Sequence, residues 1–138
     1  EFSKHYPVTG FDLDEKRIEE LENGYDRTNE VSGSKLLKAK TNNITLTTTT
    51  NDLEGPNLYI VTVPTPVDKN NTPDLKPLKS ASELAGKVLE KGNVVIYEST
   101  VYPGATEEVC VPILQKESGL QYNSDFFCGA LSKMFNQS

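Results

Sequence analysis

Residues 58–66 read LYIVTVPTP. From Leu58 to Val63 the run is continuous, apolar and rich in β-branched side chains, and it stops at two prolines. It is long enough for a strand and too short for a buried helix. An unbroken apolar strand is the mark of a parallel sheet covered on both faces. Two shorter runs of the same kind lie on either side, Val8 to Phe11 and Val94 to Tyr97. Between them the apolar period lengthens. Asp14 stands as a cap before a segment with Ile18 and Leu21 at helical spacing, and Gly24 follows as a stop. Pro77 suits the first position of a helix running to about Lys91, with Leu78, Ala81, Ala85, Val88 and Leu89 as its apolar face and Gly92 at its end. Ala105 to Lys116 predicts another helix, with Glu107 and Glu108 in its first turn and Gly119 after it. A short helix over 34–40, a Thr-rich strand over 43–49 and a strand beginning at 126–128 complete the pattern. Strands and helices alternate at crossover spacing, which predicts an α/β domain with a largely parallel sheet.

The bulk numbers exclude several classes. A chain of 138 residues with 36% hydrophobic residues has room for one sizeable core and reads as a soluble globular protein. The formal net charge of −6 argues against nucleic acid, whose binding rests on neutralising phosphates with Lys and Arg. No apolar run is long enough to span a membrane and no secretory signal is visible, so the expected compartment is cytoplasmic. Cys110 and Cys128 match no metal spacing and read as free buried thiols. No metal is expected.

Chemistry is expected beyond the carboxyl ends of the strands, where open α/β sheets bind ligands. Three such ends carry polar residues. Asp12 closes the first strand, where a carboxylate can accept both hydroxyls of a ribose; Arg17, one turn on, can reach the same ribose or a phosphate. Val63-Pro64-Thr65-Pro66 presents a rigid ledge with few N–H groups, suited to lie beside a flat ligand. Glu98-Ser99-Thr100 leads into a helix N-terminus, and Thr100 can hold a water or a substrate oxygen near a developing charge. Each has a plainer reading: a helix-capping acid, a stiff connecting loop, and hydroxyls that satisfy local backbone groups.

Together the three ends resemble the N-terminal domain of the UDP-glucose/GDP-mannose dehydrogenase family. The pattern is that of the bacterial branch which oxidises UDP-N-acetylhexosamines for surface polysaccharide. The phrases that carry it are VTGFDLDEKRIEEL (8–21), GYDRTNEV (24–31), YIVTVPTPVDKNNTPDL (59–75) and VVIYESTVYPGATEEVCVP (94–112). The resemblance implies a Rossmann-like parallel sheet with helices on both faces, and NAD as cofactor. It implies that Asp12 is the ribose acid, that Arg17 joins it on the adenosine side, that Val63 and Thr65 line NAD, and that Thr100 lies near the nicotinamide and helps position a catalytic water. The family reaction is a four-electron oxidation of a sugar C6 alcohol to a carboxylate with two NAD+, through a cysteine nucleophile and a lysine.

The resemblance also implies what these residues lack. The ribose acid of such a fold follows a Gly-rich phosphate fingerprint by ~20 residues. Asp12 stands too early for that, so the fingerprint and its strand are expected upstream of residue 1. Residues 1–129 are expected to form a partial NAD-binding domain, and 130–138 a divergent tail. Cys110 and Cys128 do not sit in the nucleophile's context. The chain is therefore expected to be inactive alone, with weak or no NAD binding. Without the first strand, the strands ending at Asp12 and Val63 lose their shared neighbour, and exposed edges invite self-association. A non-catalytic nucleotide-binding or self-associating module is the alternative to a dehydrogenase fragment.

Overall fold

The computed structural model describes residues 5–27, 32, 33, 35, 43–98 and 104–130. The helix expected over 34–40 falls, but for Lys35, outside them, as does the tail beyond Ala130. The chain divides into two compact units, Glu1–Leu53 and Glu54–Ser138.

In the first unit, β1 (Val8–Phe11) pairs in parallel with β2 (Ile44–Thr47). A parallel pair needs a crossover, and α1 (Glu15–Glu22) lies within it. Asp14 caps α1 as expected: its side chain accepts the backbone N–H of Arg17 at 3.1 Å. The helix ends at Asn23, and Gly24 follows with φ +80°, a conformation that glycine adopts without strain. β2 stops at Thr47, two residues short of the sequence reading. There Thr47 Oγ1 donates to Asp52 at 2.6 Å and accepts from the N–H of Thr49, starting a turn that leads into a 3-10 helix, Thr50–Leu53. These hydroxyl contacts compete with continued strand pairing.

The second unit holds β3 (Leu58–Val61), β4 (Val94–Tyr97) and β5 (Phe127–Ala130), all parallel and in that order. α2 (Lys76–Val88) links the first two; a π-helical turn (Thr106–Cys110) and α3 (Val111–Ser118) link the last two. The strand expected over 58–63 ends at Val61. Its ladder is framed by Val94 N–H to Asn57 O at one end and Glu98 N–H to Val61 O at the other; Pro64 and Pro66 beyond it have no N–H to extend the pairing. α2 begins one residue before Pro77 and ends at Val88, three residues before the expected stop, while Gly92 shapes the turn into β4 with φ +88°. The helix expected over 105–116 is continuous only in outline. Pro112 has no N–H for the carbonyl of Glu108, and its ring crowds that carbonyl in a regular helix. The wider π-turn makes room, with the N–H of Val111 reaching back to Thr106 O. Gly119 closes α3 in the left-handed region.

Right-handed crossovers that advance steadily across a parallel sheet put both connecting helices on one face. That face carries Tyr59, Val95 and Tyr97, all buried, and the core continues through Leu78, Ala85, Leu89, Cys110, Leu114 and Phe126. α2 and α3 cross closely at Gly86, where an added Cβ would lie 2.7 Å from Cβ of Glu117. The other face departs from the expectation for the 58–63 run. Leu58, Ile60 and Phe127 are 43%, 42% and 47% exposed. Within this unit β3 is an edge strand buried on one side.

Among the described residues, β1 and β3 are both edge strands, of a two-stranded and a three-stranded sheet respectively. Among the same residues no helix is long and apolar enough to cross a membrane.

Candidate functional site

The carboxyl end of β1 is a short network of acids organised around Arg17. Asp12 follows the strand directly, and its N–H bonds to Thr47 O at 3.2 Å, holding it at the end of the β1–β2 ladder. Asp12 Oδ1 accepts the N–H of Asp14 at 2.9 Å. Asp14 accepts the N–H of Arg17. The Arg17 side chain turns to Asp26, with Nη2 to Oδ1 at 2.8 Å. The Asp26 side chain is 4% exposed and that of Arg17 is 20% exposed, so this pair is shielded from water on the carboxylate side. Arg17 Nη1 is buried with no hydrogen-bond partner among the described residues. Arg27 lies on the exposed rim, bonded to Glu20 at 2.7 Å and to Asp14 at 3.4 Å.

Asp14 bonds to Asp12 through its N–H and to the backbone N–H of Arg17 through its carboxylate, while the Arg17 side chain itself is directed to Asp26. Asp12 is exposed, and its second carboxylate oxygen has no partner among the described residues. An exposed, oriented acceptor at a parallel strand's carboxyl end is what a ribose diol requires. The guanidinium of Arg17 is held on one side by Asp26, a contact the sequence reading did not include. The signal for that was present but faint: Gly24 reverses the chain after α1 and returns an acid to the helix's first turn.

The second unit supplies its own strand end. Val63 and Thr65 are half-buried in an extended stretch after β3. The loop then folds on itself: Val67 bridges Pro73, and Asp68 Oδ1 accepts the N–H groups of Asn70 and Thr72 at 2.8 and 2.9 Å. The ledge therefore has a built support rather than a free loop behind it. Thr100, the third expected site residue, lies outside the described residues.

Directly before it, β4 ends on a polar knot that sequence reasoning missed. Tyr97 is 1% exposed, and its hydroxyl pairs with Ser82 Oγ at 2.7 Å; Ser82 donates to Leu78 O at 2.9 Å. Cys110, fully buried, lies beside this pair. The available signal was Ser82 itself, a polar residue on the Leu78, Ala85, Leu89 stripe of α2. Burial drives the Tyr97 phenol well above its ordinary range and raises the Cys110 thiol; it pushes the Cys128 thiol up to about 12. Both thiols are free and stay protonated at neutral pH. Neither is poised as a nucleophile.

The sequence model for the UDP-glucose/GDP-mannose dehydrogenase family, NAD binding domain, matches residues 2–129. The chain is 53% identical over 136 residues to the UDP-N-acetyl-D-glucosamine 6-dehydrogenase of Pseudomonas aeruginosa, covering 99% of this chain and 32% of that protein. It is 53% identical over 135 residues to Protein CapL of Staphylococcus aureus, covering 98% of this chain and 31% of that one. The structure of a UDP-D-ManNAc dehydrogenase from Pyrococcus horikoshii superposes with a TM-score of 0.83 at 30% identity, covering 91% of this chain and 30% of that one. The chain spans about a third of the length of the curated relatives it matches.

Proposed function

Since the chain belongs to the UDP-glucose/GDP-mannose dehydrogenase family, with NAD as the family cofactor, we propose that it serves as the adenosine-binding part of a cytoplasmic UDP-N-acetylhexosamine 6-dehydrogenase of surface polysaccharide synthesis. The observation that carries this reading is Asp12: an exposed carboxylate fixed at the carboxyl end of a parallel strand by its backbone bond to Thr47 and its side-chain bond to Asp14. In this reading Asp12 accepts the ribose hydroxyls. Val63 and Thr65 line the flat part of the cofactor. Thr100 holds a water or the substrate oxygen near the sugar carbon. NAD, when bound, supplies the hydride acceptor. The 138 residues hold no Gly-x-Gly-x-x-Gly turn for the pyrophosphate, and their two cysteines are buried or half-buried thiols. These residues by themselves therefore bind NAD weakly and do not turn over a UDP-sugar.

Calorimetric titration with NAD, and absorbance at 340 nm with UDP-N-acetylglucosamine, test this. The expected result is weak binding that Asp12→Ala abolishes, with no NADH formed. Binding indifferent to Asp12→Ala, or robust turnover, would overturn it.

A second reading rests on the sheet edges. Among the described residues β1 and β3 each present an unpaired edge, and Leu58, Ile60 and Phe127 expose apolar surface on the second sheet. Edges of this kind pair with other chains. The chain self-associates through them, and light scattering after size exclusion would return a mass above the 15.3 kDa of one chain; a single-chain mass at all concentrations excludes it.

A further inference from the structure

We propose that Asp26 is a specificity-determining residue for the adenosine ribose: it neutralises Arg17 and so denies a 2′-phosphate the cation it would need. The inference rests on the reading of Asp12 as the ribose acid and concerns the neighbouring position on the same ring.

A ribose site tells a 2′-hydroxyl from a 2′-phosphate with two devices. An acid accepts the hydroxyl and repels the phosphate; an arginine nearby welcomes the phosphate. This chain carries both residue types within six positions, Asp12 and Arg17. Taken by residue type alone, Asp12 favours the hydroxyl and Arg17 the phosphate. The structure resolves the conflict. Arg17 Nη2 lies 2.8 Å from Asp26 Oδ1, and the Asp26 side chain is 4% exposed. A carboxylate so placed cannot be drawn off by solvent or salt as a surface partner can. Arg17 keeps donor capacity, since Nη1 is buried without a partner among the described residues, yet with Asp26 against it the pair has no net charge to offer an anion. Arg27 does not replace it: its guanidinium is held by Glu20 and Asp14. Among the described residues the local balance is therefore acidic, and Asp12 decides.

Asp26 touches no ligand in this scheme. It acts through Arg17, as a positioning residue that also cancels a charge. Removing its charge while keeping its shape frees the guanidinium for a 2′-phosphate without altering Asp12.

The test uses 5′-AMP and 2′,5′-ADP, which occupy the ribose position and need no pyrophosphate cradle, titrated into the full chain by NMR. Wild type is expected to prefer 5′-AMP. Asp26→Asn is expected to shift the ratio of affinities toward 2′,5′-ADP by about tenfold, the worth of one charge-assisted contact. Adding Arg17→Met to Asp26→Asn is expected to cancel that shift. An unchanged ratio in folded Asp26→Asn overturns the inference while leaving the Asp12 reading intact. If 5′-AMP does not bind, or binds equally to Asp12→Ala, the Asp12 reading fails and the inference falls with it. Should Asp26→Asn not fold, Arg17→Met/Asp26→Leu replaces the ion pair by an apolar one, an exchange that buried pairs tolerate. In it the 5′-AMP preference is expected to stay at the wild-type ratio; a several-fold rise would show that Arg17 already lends charge to the 2′ position, and would overturn the inference.

Discussion

The hydroxyl of Tyr97 and the Oγ of Ser82 lie 2.7 Å apart in a region closed to water, and they are not equivalent. Ser82 has a second partner in Leu78 O, so Tyr97→Phe leaves it satisfied. Ser82→Ala leaves the buried phenol without the hydrogen-bond partner it has among the described residues. We expect Tyr97→Phe to cost about 1 kcal/mol and Ser82→Ala to cost about 2 kcal/mol, measured by urea unfolding; the reverse order would mean that the knot is held from the tyrosine side. The thiols give a second check at this scale. Burial keeps both protonated, so neither should react with a maleimide at pH 7.5 in the native state. Cys128, half-buried, should be labelled before fully buried Cys110 as urea is raised.

At the scale of the element, two positions decide whether helices form and cross. Asp14 satisfies a free N–H of α1, a helix of eight residues that buries no side chain fully and so draws little from packing. Asp14→Ala should destabilise the first unit by about 1 kcal/mol, seen as faster amide exchange at Arg17 and Ile18. Gly86 has the opposite logic. Alanine favours a helix interior over glycine by about 1 kcal/mol. Here the new methyl would meet Cβ of Glu117 at 2.7 Å, and a Cβ cannot swing aside as a side-chain tip can. Gly86→Ala should therefore lower the melting temperature despite its propensity gain.

For the whole molecule, the raised thiol and phenol values set the pH response. A group whose folded value exceeds its unfolded one adds stability that is complete below the unfolded value and is lost as pH rises through the folded one. For Cys128 the window runs from the ordinary thiol value of 9.0 to about 12, and Tyr97 extends the loss from 10.0 upward. Thermal stability should hold steady with respect to these groups up to about pH 9 and fall beyond it; a fall that begins near neutrality would assign the response to other groups. The exposed sheet face bears on association. Ile60→Lys puts a charge on an edge strand at a 42% exposed position, a device that blocks pairing between edges. It should lower the mass seen by light scattering with little change in unfolding midpoint.

The sequence alone determined the element types, because periods of two and 3.6 residues, a capping acid and three stopping glycines are local facts. Val8–Phe11 and Val94–Tyr97 were legible to the residue, and so was Asp14 as the cap of α1. What lay beyond it needed partners far along the chain. The strand at Leu58 ends at Val61 because β4 offers a ladder of that length. The helix before α3 widens because one missing N–H at Pro112 has to be accommodated in three dimensions. The pairing of Arg17 with Asp26 was not legible, since contact between residues nine positions apart depends on how the chain returns after Gly24. The role of Ser82 needed Tyr97, fifteen positions on, to be brought against it. Local chemistry placed an acid, Asp12, at the carboxyl end of β1. Only the tertiary structure decided which charges stand unopposed beside it, because electrostatic balance is set by distance and burial and not by order along the chain.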